Sequence, residues 1–349
     1  MTTPTIVLIG GFLGAGKTTL MLAAARKLHS AGLRTGVITN DQAGDLVDTR
    51  FLEAAGLSTE EVAGGCFCCR FSDFVRSAEK LLLLEPHVIF AEPVGSCADL
   101  TATILEPLKR YYNQQFLLAP LTVLVDPRRA AELQQPGTDP HMKYLFEHQL
   151  AEADQVWFTK ADQHAEFPLL PGVPTRHMSA ETGQGVGEWL NAVLSGRAAG
   201  QHFLDIDYQE YARAEAALGW LNWRAQLHLR SPLSPAEVAG AFVDQLDREL
   251  TEGAIPIAHL KAFVQAETGY VKVSICRNAE EPRIDGTLIA SPALDHDLVL
   301  NLRAPAHPER LRDIVESVSR DLPGEVVVNQ CESFRPSAPK PEHRLAPEH

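Results

Sequence analysis

The chain has 349 residues, with 31 lysines and arginines against 45 aspartates and glutamates, and is 45% hydrophobic and 22% charged. That composition excludes a disordered chain, and the length implies two domains at roughly 100–200 residues each. A formal charge of −14 argues against nucleic-acid and anionic-membrane partners, and no apolar run reaches the roughly 20 residues that span a bilayer.

Residues 5–9 form a short β-branched apolar run without alternation, as expected of a strand buried on both faces. Gly11-Phe12-Leu13-Gly14-Ala15-Gly16-Lys17-Thr18 follows and fits G-x-x-x-x-G-K-[ST], opening a helix expected over residues 17–30. In that pattern glycines let the backbone turn its N–H groups onto phosphate, at a helix terminus of partial positive charge. Lys17 then reaches the β/γ-phosphates and the Thr18 hydroxyl ligates Mg²⁺, with Gly11, Gly14, Ala15, Gly16 and Thr19 completing the phosphate site. A plain glycine-rich turn is the bland reading, and the strand before and helix after argue against it.

Strands are then expected at 35–39, 87–91, 122–125, 155–158 and 174–178, with helices at 73–84, 98–111, 142–151 and 186–194. Strand alternating with helix implies α/β architecture: a P-loop NTPase fold with a mostly parallel sheet covered on both faces, over residues 1–196. Within it lies Gly65-Cys66-Phe67-Cys68-Cys69-Arg70, which holds three of the six cysteines. Sulfurs at i, i+2 and i+3 can converge on one soft cation, zinc, cobalt or iron, and three thiolates leave a tetrahedral position for a partner's ligand. A redox pair and inert buried cysteines are the rival readings.

After the strand at 155–158 comes Thr159-Lys160-Ala161-Asp162, where GTPases carry N-K-x-D. An aspartate there accepts from the N1–H and N2–H₂ edge of guanine, which adenine lacks, so GTP is preferred to ATP. Ser179-Ala180, after the strand at 174–178, matches the loop that closes over guanine. The histidines are scattered: His177, His343 and His349 can add ligands, but nothing in their spacing demands it.

A small-residue stretch begins near Ser195, and residues 197–217 are expected as a linker. Beyond it, strands at 220–229, 259–266, 270–276, 297–303 and 325–329 and helices at 235–250 and 308–320 spell nearly β-α-β-β-α-β. That is a smaller α+β, ferredoxin-like C-terminal domain over 218–331, with its helices on one face. Trp220 and Trp223 are expected in its core. Residues 332–349, rich in proline and charge, are expected to be a disordered tail. The absence of a basic-then-apolar leader, and cysteines too few for a disulfide scaffold, suit a cytoplasmic protein.

The phosphate loop, Gly-Cys-Phe-Cys-Cys, Glu92-Pro93-Val94-Gly95 and Thr-Lys-Ala-Asp, in that order, resemble the CobW-type (CobW/HypB/UreG-like, SIMIBI class) P-loop GTPase metallochaperones. The match covers residues 5 to about 185. The C-terminal part is similar more loosely, with Ala262 where relatives usually carry glycine, and the long histidine-rich stretch of many members is lacking. The resemblance implies an Mg²⁺-dependent GTP hydrolase that binds zinc, or cobalt, at Cys66, Cys68 and Cys69. It implies delivery to a client metalloprotein through the C-terminal domain, and leaves homodimer formation open. Asn40-Asp41-Gln42 is similar to the family's switch segment, placing Asp41 near the γ-phosphate, Mg²⁺ or attacking water, with Asp48 closing the segment. Glu92 would face Mg²⁺ with Thr18, and Gly95 would sense the γ-phosphate. With no evident arginine finger, turnover is expected to be slow, on the order of 10⁻⁴–10⁻² s⁻¹. The alternative is a nucleotide-gated assembly factor for a corrinoid or metal enzyme that carries no metal itself.

Overall fold

The computed structural model describes residues 3–42, 44, 46–196 and 198–347. It divides into two compact units: Met1–Gln42, Ala55–Glu215 and Ala338–His349 form the first, and Ala43–Ala54 with Ala216–Ser337 form the second.

The first unit opens with β1 (Thr5–Gly11), α1 (Lys17–Ser30) and β2 (Thr35–Asn40). The chain then contributes α2 (Val47–Ala54) to the second unit and resumes with β3 (Ser58–Val62), α3 (Phe71–Leu82) and β4 (Val88–Ala91). A π-helical turn, Thr101–Leu105, runs into α4 (Glu106–Tyr111), where the sequence reads as one α-helix. β5 (Leu117–Leu118), β6 (Thr122–Val125), α5 (Pro127–Leu133), α6 (Pro140–Glu152), β7 (Gln155–Phe158), β8 (Thr175–His177), α7 (Val186–Ser195) and α8 (Tyr208–Glu215) complete it. The sheet is parallel throughout, in the order β3-β2-β4-β1-β6-β7-β8, with β5 against the start of β1. Successive strand residues point to opposite faces, so the full burial of Val7 with Leu8 and of Val37 with Ile38 means that both faces are covered. This is the doubly covered α/β core that the alternating pattern implies.

The second unit contains β9 (Gly219–Leu233), α9 (Pro235–Glu252), β10 (His259–Ala266), β11 (Gly269–Ile275), β12 (Arg283–Gly286), β13 (Ala293–Ala304), α10 (Pro308–Arg320) and β14 (Gly324–Phe334). Its antiparallel order is β12-β11-β10-β13-β9-β14. The stretch β14-β9-β13-β10 is the ferredoxin-like arrangement, widened at the β10 edge by β11 and β12. Leu260, Ala262 and Val264 face the core with Trp223, Phe242 and Leu311. The alternate residues Lys261 and Phe263 face the other way, where α2 packs. Ser234 starts α9 with a capping box to Glu237. Trp220 is buried like Trp223, against Phe334 and under Arg303.

Two stretches differ from the reading of the sequence. Within residues 197–217, expected as a linker, α8 packs on α6. Residues 332–347 are not a disordered tail: β14 runs through Phe334, Pro336 and Pro339 are buried, and the backbone beyond bonds to the first unit. Composition counts proline as a breaker, but a proline-rich segment already extended loses little entropy on docking.

Candidate functional site

The carboxyl ends of the parallel strands lie along one edge of the sheet, where ligands bind in open α/β folds. From β2 to β8 that edge carries Asp41, Glu92, the loop 11–18, Asp126, Thr159–Asp162 and Ser179.

The phosphate loop is set by its backbone. Gly11, Gly14 and Gly16 have φ of 132°, 81° and 89°, and a Cβ at Gly11 would lie 2.4 Å from the Leu124 carbonyl oxygen. Only glycine fits there. Lys17, buried, donates to the Gly11 carbonyl at 2.8 Å and lies 3.8 Å from Glu92 Oε1. The Thr18 hydroxyl donates to Glu92 Oε2 at 2.9 Å. A hydroxyl and a carboxylate side by side are hard oxygen donors that fit Mg²⁺. Ala15 is buried in the loop, while Thr19 is partly exposed on the first turn of α1. Gly95 packs so closely on Leu13 that a Cβ would stand 2.8 Å from its Cδ2. Asp41 is buried directly after β2, its Oδ1 accepting from Gln42 N at 2.6 Å.

At the other end of the edge, Thr159 is structural: its hydroxyl donates to Ala15 O at 2.9 Å, tying this loop to the phosphate loop. Lys160 has φ 57° and pairs with Asp126 Oδ2 at 2.6 Å. Asp162 is exposed. Ala161 N donates to Met178 O, which brings the Ser179-Ala180 loop alongside; Ser179 is fully buried and Ala180 partly so. The role of Asp126 is not read from the sequence, yet Asp126-Pro127 is a legible helix start: its carboxylate accepts from Arg128 N and Arg129 N.

The three cysteine sulfurs converge. Cys66 Sγ lies 2.7 Å from Cys68 Sγ and 3.2 Å from Cys69 Sγ, with 3.7 Å between Cys68 and Cys69. All three sulfurs lie within 4.8 Å of one another, whereas around a tetrahedral ion with Zn–S near 2.3 Å they would spread to about 3.8 Å. That donor set fits a soft cation. Phe67 holds the loop down, fully buried with its ring 4.6 Å from that of Phe74. Asn40 clamps it as well: its amide donates to Val62 O and Gly65 O at 2.9 and 2.8 Å, and its Oδ1 accepts from Phe67 N at 2.9 Å. Asn40 is the last residue of β2 and the neighbour of Asp41, so one residue joins the cysteine loop to the nucleotide edge.

Hydrogen bonds from Cys68, Cys69 and Cys97 hold the Cys66 thiol well below the usual thiol range. Cys68 is pushed up by the bond it gives Cys66 and by burial, and Cys69 to about 11 by its bond to Cys66. Binding a cation displaces the protons that the three thiols carry. Cys97 bonds to Cys66, and Tyr211 and Glu215 accept from its neighbours Ala98 N and Ser96 Oγ; none of the three is marked by a motif. The Glu215 carboxyl is pushed up to about 8 by burial and by Cys66. His177 stacks on Phe167 and His343 packs against Phe71, so neither joins the sulfurs; His349 lies outside the described residues.

Residues 5–171 match the CobW/HypB/UreG nucleotide-binding domain family, the family that the motif order resembles. The zinc chaperone CobW of Pseudomonas aeruginosa is 30% identical, over 45% of this chain and 49% of its own length. The zinc chaperone YjiA of Escherichia coli is 27% identical, over 47% and 52%. The chain spans about half the length of the curated relatives it matches. Among solved structures, Zn(II)-bound YjiA GTPase from E. coli covers 91% of this chain and 99% of its own at 15% identity and a TM-score of 0.34. HypB from Helicobacter pylori in complex with nickel covers 54% and 85% at 19% and 0.40. Among the described residues, no helix is long and apolar enough to cross a membrane.

Proposed function

We propose that the chain is a GTP hydrolase that carries a transition-metal cation at Cys66, Cys68 and Cys69 and passes it to a client metalloprotein, a reading that the match of residues 5–171 to the CobW/HypB/UreG nucleotide-binding domain supports. One observation carries the reading: three sulfurs within 4.8 Å of one another, on a loop clamped by the residue that ends β2. It favours a carrier over an assembly factor that holds no metal. The names of the two curated relatives favour zinc as the cargo, ahead of cobalt. A client reached through the second unit, and a cytoplasmic location in keeping with six free cysteines, belong to the same proposal.

In the reaction proposed, the backbone N–H groups of residues 11–18 cradle the phosphates of GTP, and Lys17 turns from the Gly11 carbonyl to the β/γ-phosphates. Mg²⁺, when bound, neutralises charge on those phosphates; Thr18 and Glu92 would hold it. Asp41 orients the attacking water, which enters in line as the bond to the leaving GDP breaks. Gly95 presents its backbone N–H to the γ-phosphate, and Asp162 reads the guanine edge, with Lys160 and Ser179-Ala180 about the ring. Loss of the γ-phosphate moves Asp41, and Asn40 carries that movement to the cysteine loop. The test is the zinc content of untagged protein, GTP- and GDP-loaded, with a Cys66→Ser/Cys68→Ser variant alongside. About one zinc per chain in the parent and none in the variant is expected for a three-thiolate site; equal contents would refute the carrier.

A further inference from the structure

Residues 338–347 are bonded to the cysteine loop itself. Lys340 N donates to Cys69 Sγ at 3.1 Å, and Glu342 N donates to Cys68 O at 2.9 Å. The Glu342 carboxylate accepts from Ser72 N at 3.0 Å and from the Ser72 hydroxyl at 2.5 Å. It thereby caps α3, whose own N-cap Arg70 makes no side-chain capping bond. The His343 ring stands edge-on to Phe71 at 5.1 Å. Two residues on from Glu342, Arg344 Nε donates to Asp99 Oδ2 at 2.7 Å, and Asp99 is 1% exposed. Pro339, before the first of these contacts, is buried.

We infer that residues 338–347 are a strap closing the mouth of the cysteine site, and that a cation enters or leaves only when the strap is displaced from its groove. Cys66 and Cys68 are each 2% exposed, and Cys69 alone of the three reaches the surface in part. An incoming ligand therefore reaches the cation past Cys69, the thiol that the strap covers. Transfer is ligand exchange: a lone pair of the acceptor forms a bond to the cation as one cysteine thiolate leaves and takes a proton from water. The strap offers no soft donor in place of that ligand, since its contact with Cys69 is a backbone N–H. It acts as a competitor for the groove, which selects an extended segment with a carboxylate for the α3 terminus and, two residues later, an arginine for Asp99. The backbone hydrogen bonds hold the strap in place, and the two side chains set its register.

The cation-gating part rests on the metal-carrier reading, whereas the covering of Cys69 does not. The experiment therefore follows both. Zinc-loaded full chain, a variant lacking residues 338–349, and Arg344→Gln are mixed with excess 4-(2-pyridylazo)resorcinol, and the rate of zinc extraction is followed by absorbance. The same three proteins, metal-free, are treated with iodoacetamide, and Cys69 alkylation is timed by peptide mass. A strap open a tenth of the time or less slows both steps at least about tenfold. Removing it raises both rates by that factor, Arg344→Gln raises them in part, and a synthetic peptide of residues 338–347 added to the shortened chain slows them again. GTP affinity, unchanged in the variants, shows that the fold survives. Equal rates in full and shortened chains overturn the strap, as does faster alkylation with unchanged zinc extraction. If the full chain takes up no zinc, the carrier reading fails and alkylation alone decides the strap.

Discussion

Asp48 sits on α2, the segment that follows Asp41 along the chain, and holds it to the second unit. Its Oδ2 accepts from Lys261, and its Oδ1 lies 3.0 Å from Lys272 Nζ. The Lys272 side chain is 4% exposed, its ammonium 4.3 Å from the centre of the Phe51 ring. Burial alone would raise the Asp48 carboxyl, but the two ammonium groups outweigh it and hold the group well below its ordinary 3.8. Asp48→Asn leaves two cations facing one amide, and breaking a buried pair from one side costs about 3–5 kcal/mol. The lower end applies here, because burial already disfavours the charged form of Lys272 and so lowers the cost of losing its partner. With Trp157 and Trp189 replaced by phenylalanine, urea unfolding followed by the fluorescence of Trp220 and Trp223 reports the second unit alone. Asp48→Leu with Lys261→Met and Lys272→Met, which removes all three charges, should be as stable as the parent or up to about 4 kcal/mol more stable. The pH dependence has a fixed sign. A depressed carboxyl contributes its full stability above 3.8 and loses it as pH falls from there through the folded value, so the parent loses more stability in acid than Asp48→Asn does. A loss under about 1 kcal/mol in Asp48→Asn, the worth of an exposed pair, would refute the buried-clamp reasoning.

Gly11→Ala places a Cβ against the Leu124 carbonyl at a positive φ, and should cost about 3 kcal/mol or more; an unchanged melting temperature would show that the loop relaxes. Asp162→Asn should weaken GTP binding about a hundredfold or more, two charged hydrogen bonds at about 1.5 kcal/mol each, and strengthen xanthosine triphosphate. Unchanged GTP affinity in a filter-binding titration overturns the guanine assignment. Glu215, pushed up to about 8 from an ordinary 4.5, contributes its full stability to the parent below 4.5. That stability falls by about 1.4 kcal/mol per pH unit as pH rises toward 8. Glu215→Gln should remove the slope, and parallel stability curves for the two proteins from pH 5 to 8 would show the carboxyl to be ionised throughout.

What the sequence makes legible is what depends on neighbours along the chain. Periodicity marks β1, β6 and β7, whose residues are apolar because both faces are covered, and the Gly-x-x-x-x-Gly-Lys-Thr and Cys-x-Cys-Cys spacings mark chemistry held within eight residues. β3 escapes because it is an edge strand, Ser58-Thr59-Glu60-Glu61-Val62, with no apolar alternation. α2 escapes because its polar side chains find partners far along the chain: Asp48 meets Lys261 and Lys272, and Val47 N meets Asn301. The segment 338–347 misleads for the same reason, since proline and charge argue disorder unless Asp99 and Ser72 wait to receive Arg344 and Glu342.

This division has a physical consequence for the site. The groups proposed to ligate and react come from short local motifs, each able to form wherever its turn can form. Their positions come from contacts between motifs: Asn40 reaches 25 residues on to Gly65, Thr159 reaches 144 residues back to Ala15, and Lys160 reaches 34 residues back to Asp126. Each of these is a hydrogen bond or ion pair with one geometry, made by a residue outside the motif it positions. Such bonds are worth only about 1–3 kcal/mol each, the same size as the free energy by which one bound ligand typically changes the affinity for another. Asn40 is therefore better suited to pass a change from the nucleotide edge to the sulfurs than the apolar anchor Phe67. Burial in a close-packed core holds Phe67 in one place, while Asn40 is held by three hydrogen bonds of about 1–3 kcal/mol each, which a change beside Asp41 can break.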